Sequence, residues 1–291
     1  MRAFFGRLPT DAVGREPKNG EGPGGPDASV MVRSKARPTF MEVTVATVET
    51  ERPFAPTLPA LSPRAELALL ARLLHVEGYD DHLSGHLSYK QEDGSLLVNP
   101  FGLTWDEIRP SDVMRISPDG DILDGPWTVT PAIELHLAVH RARPDVVVGV
   151  HNHSRWGTIW ADLQRVPPIY DQTSAMVDGQ VALFDAYDGD VAQRRNAEAA
   201  VTALGDAKMA LLANHGVFIV GSSIRQAHQR AITLEWRCRQ AWHVEAVGGG
   251  VPLNPEVAEG FGSILDSFGF PGLFEAMVRR ELRRDPSAID E

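Results

Sequence analysis

The sequence predicts an α/β protein in which helices cover a mixed β-sheet. Segments with helical periodicity alternate with short apolar runs that are bounded by Gly, Pro, Asn and Asp. These strand-like runs are more numerous than a strictly alternating βα chain would contain. Asp119-Gly120 is typical of a tight hairpin turn, and a hairpin joins antiparallel strands. The chain therefore favours a mixed sheet over a doubly wound parallel one.

Composition excludes several classes of function. With 291 residues, of which 43% are hydrophobic, the chain can bury one substantial core. Its net charge of −11 repels a nucleic-acid backbone and an anionic membrane surface. Cys238 is the single cysteine, which excludes internal disulfides and suits a reducing compartment. Because the sequence also lacks a membrane span and an apolar signal-peptide core, we expect a cytoplasmic protein that binds small molecules.

The N-terminal part of the chain differs in composition from the rest. It contains the stretch GREPKNGEGPGGPDAS, which is too rich in Gly, Pro and polar residues to pack into a core. We therefore expect residues 1–58 to form a disordered extension and residues 59–250 to form the globular domain. Residues 251–291 are expected to be a C-terminal tail with a short helix, packed on the domain or at a subunit interface.

The first helix is predicted to begin at Ser62-Pro63, an N-cap followed by a proline at the first helical position, and to end at Gly78. Apolar residues follow this start at helical spacing, at Ala65, Leu69, Leu70, Leu73 and Val76. Three strand-like runs come next, HLSYK, SLLVNP and VMRISPDGDIL, and the last contains the Asp119-Gly120 turn. Together they predict a small antiparallel meander.

A second helix is predicted from Thr130-Pro131 to about Arg143, since Pro144 disfavours helical geometry in the residue before it. The run VVVGVHNH then predicts a buried strand that ends in polar residues. The middle of the chain thus places a helix directly before a strand with two histidines.

The rest of the domain follows the same mixed pattern. VALFDA predicts a strand, and a helix is expected between Asp190 and Gly205. MALLAN and VFIVG predict two further strands on either side of an Asn-His-Gly break. The last long helix begins with a capping box at Ser223 and Gln226 and ends at the glycines 248–250.

Three histidines are candidate metal ligands. Residues two apart in a strand point to the same side, so His151 and His153 can chelate one ion while Asn152 faces away. His215 lies in the polar break between two apolar strands, where side chains face a cleft at the sheet end. Three imidazoles favour Zn, Fe, Co or Ni over Mg or Ca. The alternative is that these are solvated strand-end and turn histidines that bind no metal.

The chain resembles the class II aldolase/adducin superfamily, and in particular its adducin-like bacterial branch. The resemblance covers about residues 60–250 and rests on a series of short motifs in a specific order. These motifs are Gly78, Ser84-Gly85-His86-Leu87-Ser88, Val98-Asn99-Pro100-Phe101-Gly102, Ser111-Asp112, Arg143-Pro144-Asp145-Val146, His151-Asn152-His153-Ser154 and Ala213-Asn214-His215-Gly216.

The resemblance has several implications for fold and cofactor. It implies a three-layer α/β/α sandwich with a largely antiparallel central sheet. It also implies that His151, His153 and His215 coordinate a divalent cation, most often zinc, with iron as the alternative. Members of the family commonly form homo-oligomers, often tetramers with active sites at subunit boundaries, so the same is expected here.

The catalytic carboxylate of the family's aldolases is missing from its usual position. Those enzymes carry a glutamate four residues before the position that matches His136, and here that residue is Ala132. Glu134 is the remaining candidate for the acid/base, although two helical residues span about 200°, which turns it away from the side that Ala132 and His136 share. The alternative interpretation is that Glu134 is only a surface carboxylate near a helix N-terminus, where the helix dipole favours a negative charge.

The family's phosphate-binding positions are also altered. Its Gly-Asn pair is Gly85-His86 here, its Thr-Gly pair is Phe101-Gly102, and its Ser-Ser pair is Thr130-Pro131. Proline removes a backbone donor and Phe101 removes a hydroxyl, so a sugar phosphate is disfavoured as substrate. Gly85, His86 and Gly102 stay candidate substrate-binding residues, and His86 is either a ligand or proton carrier in the cleft or a loop histidine bound to backbone.

Two further histidines, His136 and His140, lie one helical turn apart and share a face. This spacing suits a second metal pair, but no third ligand is within reach in the sequence. We therefore expect them to pack and to form hydrogen bonds.

Three functions are compatible with the sequence. The first is a metal-dependent lyase of the aldehyde-lyase type, acting on a small oxygenated substrate by aldol cleavage, epimerisation or decarboxylation through a metal-stabilised enolate. The second is a non-haem iron oxygenase or oxidative decarboxylase, which would need no glutamate base. The third is a non-catalytic, adducin-like binding module, against which the three metal-type histidines argue.

Overall fold

The computed structural model describes residues 56–186, 192–262 and 270–290, which belong to one compact unit, Thr50–Glu291. The expected disordered extension therefore lies outside the described residues except for positions 56–58. Among these, Leu58 packs against the main hydrophobic core, and the carbonyl of Pro56 accepts a hydrogen bond from Arg279.

One eight-stranded sheet forms the centre of the described chain, in the order β4-β3-β2-β1-β5-β8-β7-β6. Every neighbouring pair is antiparallel except β6 and β7. The expectation of a mixed, largely antiparallel sheet is thus confirmed. The strands are β1 His86–Lys90, β2 Leu96–Val98, β3 Met114–Ile116, β4 Ile122–Asp124, β5 Val148–Asn152, β6 Val181–Phe184, β7 Met209–Leu212 and β8 Gly216–Gly221.

Helices cover both faces of this sheet, as the sequence predicted. They are α1 Pro63–Val76, α2 Glu134–Ala142, α3 Gly157–Asp162, α4 Gln172–Ala175, α5 Arg194–Leu204, α6 Ile224–Ala246, α7 Pro255–Gly262 and α8 Leu273–Arg284. Two short 3₁₀ turns, Pro110–Asp112 and Pro131–Ile133, precede β3 and α2.

Each sheet face has its own core, because alternate strand residues point to opposite sides. On one face α1, α3, α6 and α8 pack on β-strand residues such as Leu87 and Val150. On the other face α2 and α5 pack on residues such as Phe218 and Val220. These two cores make the molecule a three-layer α/β/α sandwich, which confirms the predicted fold class.

The helix ends follow the predicted capping residues with two differences. Ser62 accepts a hydrogen bond from the Ala65 amide, and Ser223 accepts one from the Gln226 amide. The Gln226 side chain, however, accepts from Ser222 rather than from the N-cap residue, so the capping box is only half formed. The helix predicted from Thr130-Pro131 starts as a 3₁₀ turn and becomes α-helical only at Glu134.

The C-terminal part of the chain packs on the domain through α8. Phe274 and Val278 enter the core beneath α1 and α6. Arg72 of α1 is buried and donates hydrogen bonds to Glu281 and Asp285, both at 2.7 Å. Burying this guanidinium is tolerable because two carboxylates pair with it. In the described residues, no helix has the length and apolar character needed to cross a membrane.

His228 of α6 is a buried imidazole without a hydrogen bond from any described residue, and it lies against Phe274. Burial lowers the pKa of His228 to about 4, which the nearby Glu275 only partly offsets. The unfolded chain takes up this proton near its usual pKa of about 6.5. Protein stability should therefore fall as the pH drops from about 6.5 to about 4, because only the unfolded state is protonated in that window.

We expect His228→Leu to remove this loss of stability at low pH. The substitution should therefore stabilise the protein by about 2 kcal/mol more at pH 5 than at pH 8. Urea unfolding at both pH values, with a chelator present, measures the difference. The exposed Thr202, which has no titratable group, supplies the control, since Thr202→Leu should change stability equally at the two pH values. An equal effect of His228→Leu at pH 5 and pH 8 would contradict the prediction.

Candidate metal centre

The three predicted ligand histidines meet at one end of the sheet, on the face that α2 and α5 cover. His151 is the fourth residue of β5 and pairs with His86 of β1 and Phe218 of β8. His153 follows directly after β5, and His215 lies in the turn between β7 and β8. One nitrogen from each ring lies within 4.8 Å of the others, so a single ion can contact all three.

The turn before β8 has the backbone geometry that this cluster requires. Asn214 has a φ of +54°, a left-handed conformation that asparagine tolerates better than most residues. Gly216 is the first residue of β8, and a Cβ atom there would lie 2.6 Å from the carbonyl oxygen of Asn152 and 2.8 Å from the His153 ring. Only glycine therefore lets β8 start beside the end of β5.

The His151 ring is fixed by the neighbouring strand. Its Nδ1 donates a hydrogen bond of 2.9 Å to the carbonyl of Val217, which leaves Nε2 as a lone-pair donor. Burial, together with the imidazoles of His86 and His215, lowers the pKa of His151 well below its usual value. The ring is therefore neutral at physiological pH, as a metal ligand must be.

The His153 ring is fixed by a carboxylate. Its Nδ1 lies 2.7 Å from Oδ2 of Asp81, in the loop between α1 and β1. Partial burial raises the pKa of Asp81, but hydrogen bonds from His82 and His153 outweigh this effect, and the net pKa is lowered. Asp81 is thus ionised, holds the proton on Nδ1 of His153, and directs Nε2 toward the other rings.

This donor set fits a divalent cation. The Nε2 atom of His153 is buried, yet no described residue offers it a hydrogen bond, and such orphaned polar atoms are costly without a partner. For His215, burial and the nearby His153 lower the pKa to about 4, so this ring is neutral as well. Three imidazoles that converge within one ion's reach match the ligands that zinc and iron prefer.

A buried glutamate, Glu235 of α6, anchors the chain just after the histidine pair. Its carboxylate accepts hydrogen bonds from the Ser154 hydroxyl at 2.8 Å, from the Trp156 amide at 2.7 Å and from the Gly157 amide at 3.0 Å. Burial raises the pKa of Glu235 to about 7, although these donors lower it in part. Glu235 was not predicted from the sequence. The pattern that could have indicated it is an acidic residue at helical spacing from the apolar residues Ala231 and Cys238.

His86 begins β1 and is neither in a loop nor bound to backbone. Its Nδ1 lies 2.8 Å from Nε2 of His136, whose Nδ1 lies 2.6 Å from the Ser88 hydroxyl. That hydroxyl lies 2.8 Å from Nε2 of His140. His136 and His140 therefore form hydrogen bonds, as predicted, and the involvement of Ser88 was not foreseen.

The other candidate site residues lie in different surroundings. Glu134 forms an ion pair with Arg141 of the same helix. The carbonyl of Gly85 accepts hydrogen bonds from Asn99 and Trp105, both at 3.2 Å, and a side chain at this position would collide with Asn152 and Trp105. Gly102 has a φ of +108° and open space around it.

An α/β/α sandwich with three convergent histidines at one end of its sheet defines a class of protein whose ligand set suits a divalent cation. The family comparison agrees with this description. Residues 65–242 match the model of the class II aldolase and adducin N-terminal domain. The chain therefore belongs to the class II aldolase/adducin family.

Similar proteins support this membership. A Caulobacter vibrioides protein, named provisionally as an aldolase class 2 protein, is 32% identical over 67% of this chain and 78% of its own length. The crystal structure of an aldolase II superfamily protein from Pseudomonas syringae has a TM-score of 0.71 and 29% identity, over 79% of this chain and 98% of the other.

Relatives with more specific names catalyse several kinds of reaction. A 5-methylthioribulose-1-phosphate/5-deoxyribulose-1-phosphate aldolase from Rhodospirillum rubrum is 31% identical, over 58% of this chain and 78% of its own. A 3-oxo-tetronate 4-phosphate decarboxylase from Escherichia coli is 31% identical, over 60% and 83%. A 4-hydroxy-3-prenylphenylpyruvate oxygenase/4-hydroxy-3-prenylbenzoate synthase from Streptomyces roseochromogenus is 29% identical, over 65% and 70%. The named aldolase and decarboxylase support a lyase-type enzyme.

We expect Asp81→Ala to weaken zinc binding by about 10- to 100-fold, because the carboxylate orients His153 and increases its basicity. Competition with a chelating indicator dye measures the dissociation constant. Asp80→Ala is the matched control, since the adjacent Asp80 pairs with Arg155 rather than with a histidine. Equal zinc affinity of the two variants would exclude a role for Asp81 at the metal centre.

Proposed function

We propose that this protein is a metal-dependent lyase that acts on a small, unphosphorylated, oxygenated substrate next to its carbonyl group. The observation that carries this proposal is the cluster of His151, His153 and His215, in which the buried Nε2 of His153 has no hydrogen-bond partner in the described chain. We propose these histidines as the ligands and zinc as the cation. The reaction is cleavage, epimerisation or decarboxylation at the bond beside the carbonyl.

The chain's own residues prepare the site for this chemistry. Val217 and Asp81 hold the proton of each ring on Nδ1, so that Nε2 of His151 and His153 is free to bind an ion. A bound divalent cation supplies a Lewis acid that polarises the substrate carbonyl. His151, His153 and His215 would hold this cation and would leave it accessible to substrate oxygen atoms.

The residues at the family's expected phosphate-binding positions support an unphosphorylated substrate. Phe101 is about half exposed and carries a ring at the position where the resemblance to the family implies a threonine hydroxyl. Pro131 has no amide hydrogen, and the hydroxyl of Thr130 already accepts a hydrogen bond from the Ala132 amide. A phosphate dianion, which only accepts hydrogen bonds, would find few donors among these groups. Gly102, with open space around it, is a better candidate for contact with substrate than Gly85.

Two positions on and before α2 were considered for the acid/base that transfers protons to and from the substrate. Ala132 has no titratable group, and the carboxylate of Glu134 is paired with Arg141. We keep Glu134 as a candidate that would have to exchange this ion pair for substrate.

We also propose that the protein acts in the cytoplasm as a homo-oligomer, for which the exposed rings of Trp236 and Trp242 supply apolar contact area.

A second candidate function is that of an iron-dependent oxygenase or oxidative decarboxylase. The observation that favours it is the Streptomyces relative, which is named as an oxygenase. Iron accepts imidazole ligands, and a reaction with oxygen needs no carboxylate at position 132. The identity of the bound metal, and whether the substrate causes oxygen uptake, distinguish the lyase from the oxygenase.

We expect protein purified without added metal to contain about one equivalent of a transition metal per chain, and His151→Ala to lose it. Elemental analysis by mass spectrometry measures the content, with His243→Ala as the control because His243 lies on α6, outside the cluster. Wild-type protein that holds no metal, even after incubation with zinc or iron, would contradict both candidate functions.

We also expect the zinc-loaded enzyme to cleave or rearrange unphosphorylated sugars or hydroxy-keto acids. Chromatography of the products from a substrate panel, together with an oxygen electrode, provides the test. Activity confined to sugar phosphates would overturn the proposed substrate class, and substrate-dependent oxygen uptake with iron would favour the second candidate.

A further inference from the structure

A row of hydrogen-bonded side chains runs along β1 and α2 away from the metal centre. It starts at His86 and passes through His136 and Ser88 to His140, with successive distances of 2.8, 2.6 and 2.8 Å. The row ends where Nδ1 of His140 lies 3.3 Å from the carbonyl oxygen of Val146. Three imidazoles and one hydroxyl thus form a single continuous chain.

The terminal carbonyl sets the direction of every hydrogen bond in this row. Because a carbonyl oxygen only accepts, His140 must donate from Nδ1, and its Nε2 then accepts from the hydroxyl of Ser88. With its one proton engaged, Ser88 accepts from Nδ1 of His136. Nε2 of His136 must then accept from Nδ1 of His86. The His86 ring is therefore left with an unprotonated Nε2.

The row is buried, and the sheet leaves room for it. Ser88 and His136 are fully buried, and His86 is 3% exposed. Gly149 of β5 pairs with Ser88, and a Cβ atom at Gly149 would lie 2.6 Å from Nδ1 of His136 and 3.0 Å from the Ser88 hydroxyl. Glycine at this strand position is therefore what allows His136 and Ser88 to meet.

The free nitrogen of the row belongs to the residue beside the metal cluster. His86 pairs directly with His151 across β1 and β5, and their ring centroids are 4.5 Å apart. Nδ1 of His86 is engaged by His136, while no described residue forms a hydrogen bond with Nε2.

We propose that the row from His140 to His86 locks His86 in its Nδ1–H form, so that Nε2 accepts a hydrogen bond from a hydroxyl group of the substrate. This inference rests on the proposed function for the presence of a substrate at the metal. It specifies the substrate further, as a hydroxy-carbonyl compound whose second hydroxyl reaches His86. A lone pair at that position attracts a hydroxyl and repels a phosphate oxygen, so His86 determines specificity for the substrate. The other residues of the row position the His86 ring; they are His136, Ser88 and His140.

The hydrogen positions are the first test, and they are independent of activity. Neutron diffraction from crystals of the metal-free full chain, exchanged into heavy water, should show deuterium on Nδ1 of His86 and none on Nε2. Deuterium on Nε2 would overturn the proposal, whatever the metal content of the protein. Direct contact between zinc and Nε2 of His86 in crystals of the zinc-loaded protein would also overturn it, because the nitrogen would then be a ligand.

The second test compares two small probes that differ by one hydroxyl. Calorimetry should show that the zinc-loaded protein binds dihydroxyacetone about tenfold more tightly than hydroxyacetone, since one hydrogen bond distinguishes them. His86→Phe should remove this difference. Ser88→Ala should reduce it, because His136 loses its partner, whereas Ser95→Ala, in the connection between β1 and β2, should not, since its hydroxyl contacts Asp93 and Arg115 instead. Equal affinities in the wild type, or a difference that survives His86→Phe, would contradict the inference.

The third test reverses the specificity. His86→Asn replaces the lone pair with amide hydrogens, which donate to a phosphate oxygen. The ratio of affinities for dihydroxyacetone phosphate and dihydroxyacetone should therefore rise about tenfold in this variant. An unchanged ratio would show that His86 does not select against phosphate. Failure of the wild type to bind zinc would instead contradict the proposed function and leave the neutron result intact.

Discussion

The hydrogen bond between Nδ1 of His151 and the carbonyl of Val217 joins the two central strands at the point where the metal centre begins. A neutral imidazole has one donor nitrogen and one acceptor nitrogen, so a fixed acceptor on one side determines what the other side can do. The same rule applies to His153, whose acceptor is the carboxylate of Asp81, and to His140, whose acceptor is the carbonyl of Val146. The orientation of each ring, and which of its nitrogens offers a lone pair, are thus set by a neighbouring oxygen atom.

Close approach of the backbone makes these arrangements possible. Gly216 lets β8 start against Asn152 and His153, and Gly149 gives His136 access to Ser88. In a tightly packed interior, one additional methyl group at either position would displace a ring by more than a hydrogen bond tolerates. The histidine cluster and the row behind His86 therefore both depend on glycines in the same part of the sheet.

Burial gives the site its chemical character. Desolvation lowers the pKa values of His86, His136 and His151 well below the usual range, so the rings are neutral side by side. A group of protonated histidines would repel a cation, whereas neutral rings offer lone pairs to it. The buried Glu235 holds the chain after His153 in place from the opposite layer. Asp81 and Glu235 thus position His153 and the residues that follow it, while Ala132 offers no carboxylate.

The sequence by itself determined the features that depend on neighbouring residues. Strand periodicity predicted that His151 and His153 share a side, Ser62 and Ser223 marked helix starts, and Asp119-Gly120 marked a hairpin, because each signal lies within a few residues. The general class of fold followed from the same local patterns. Motif order along the chain, rather than geometry, linked these two histidines to His215.

Only the tertiary structure decided which distant residues serve the cluster. Asp81 and Glu235 are 72 and 81 residues from their partners His153 and Ser154. Ser88 contacts His136 from 48 residues away. Helix and strand periodicity assign a residue to a face but do not say which face of another element it meets. These contacts arise from strand register and layer packing, which bring separate parts of the chain together only when the whole core is buried.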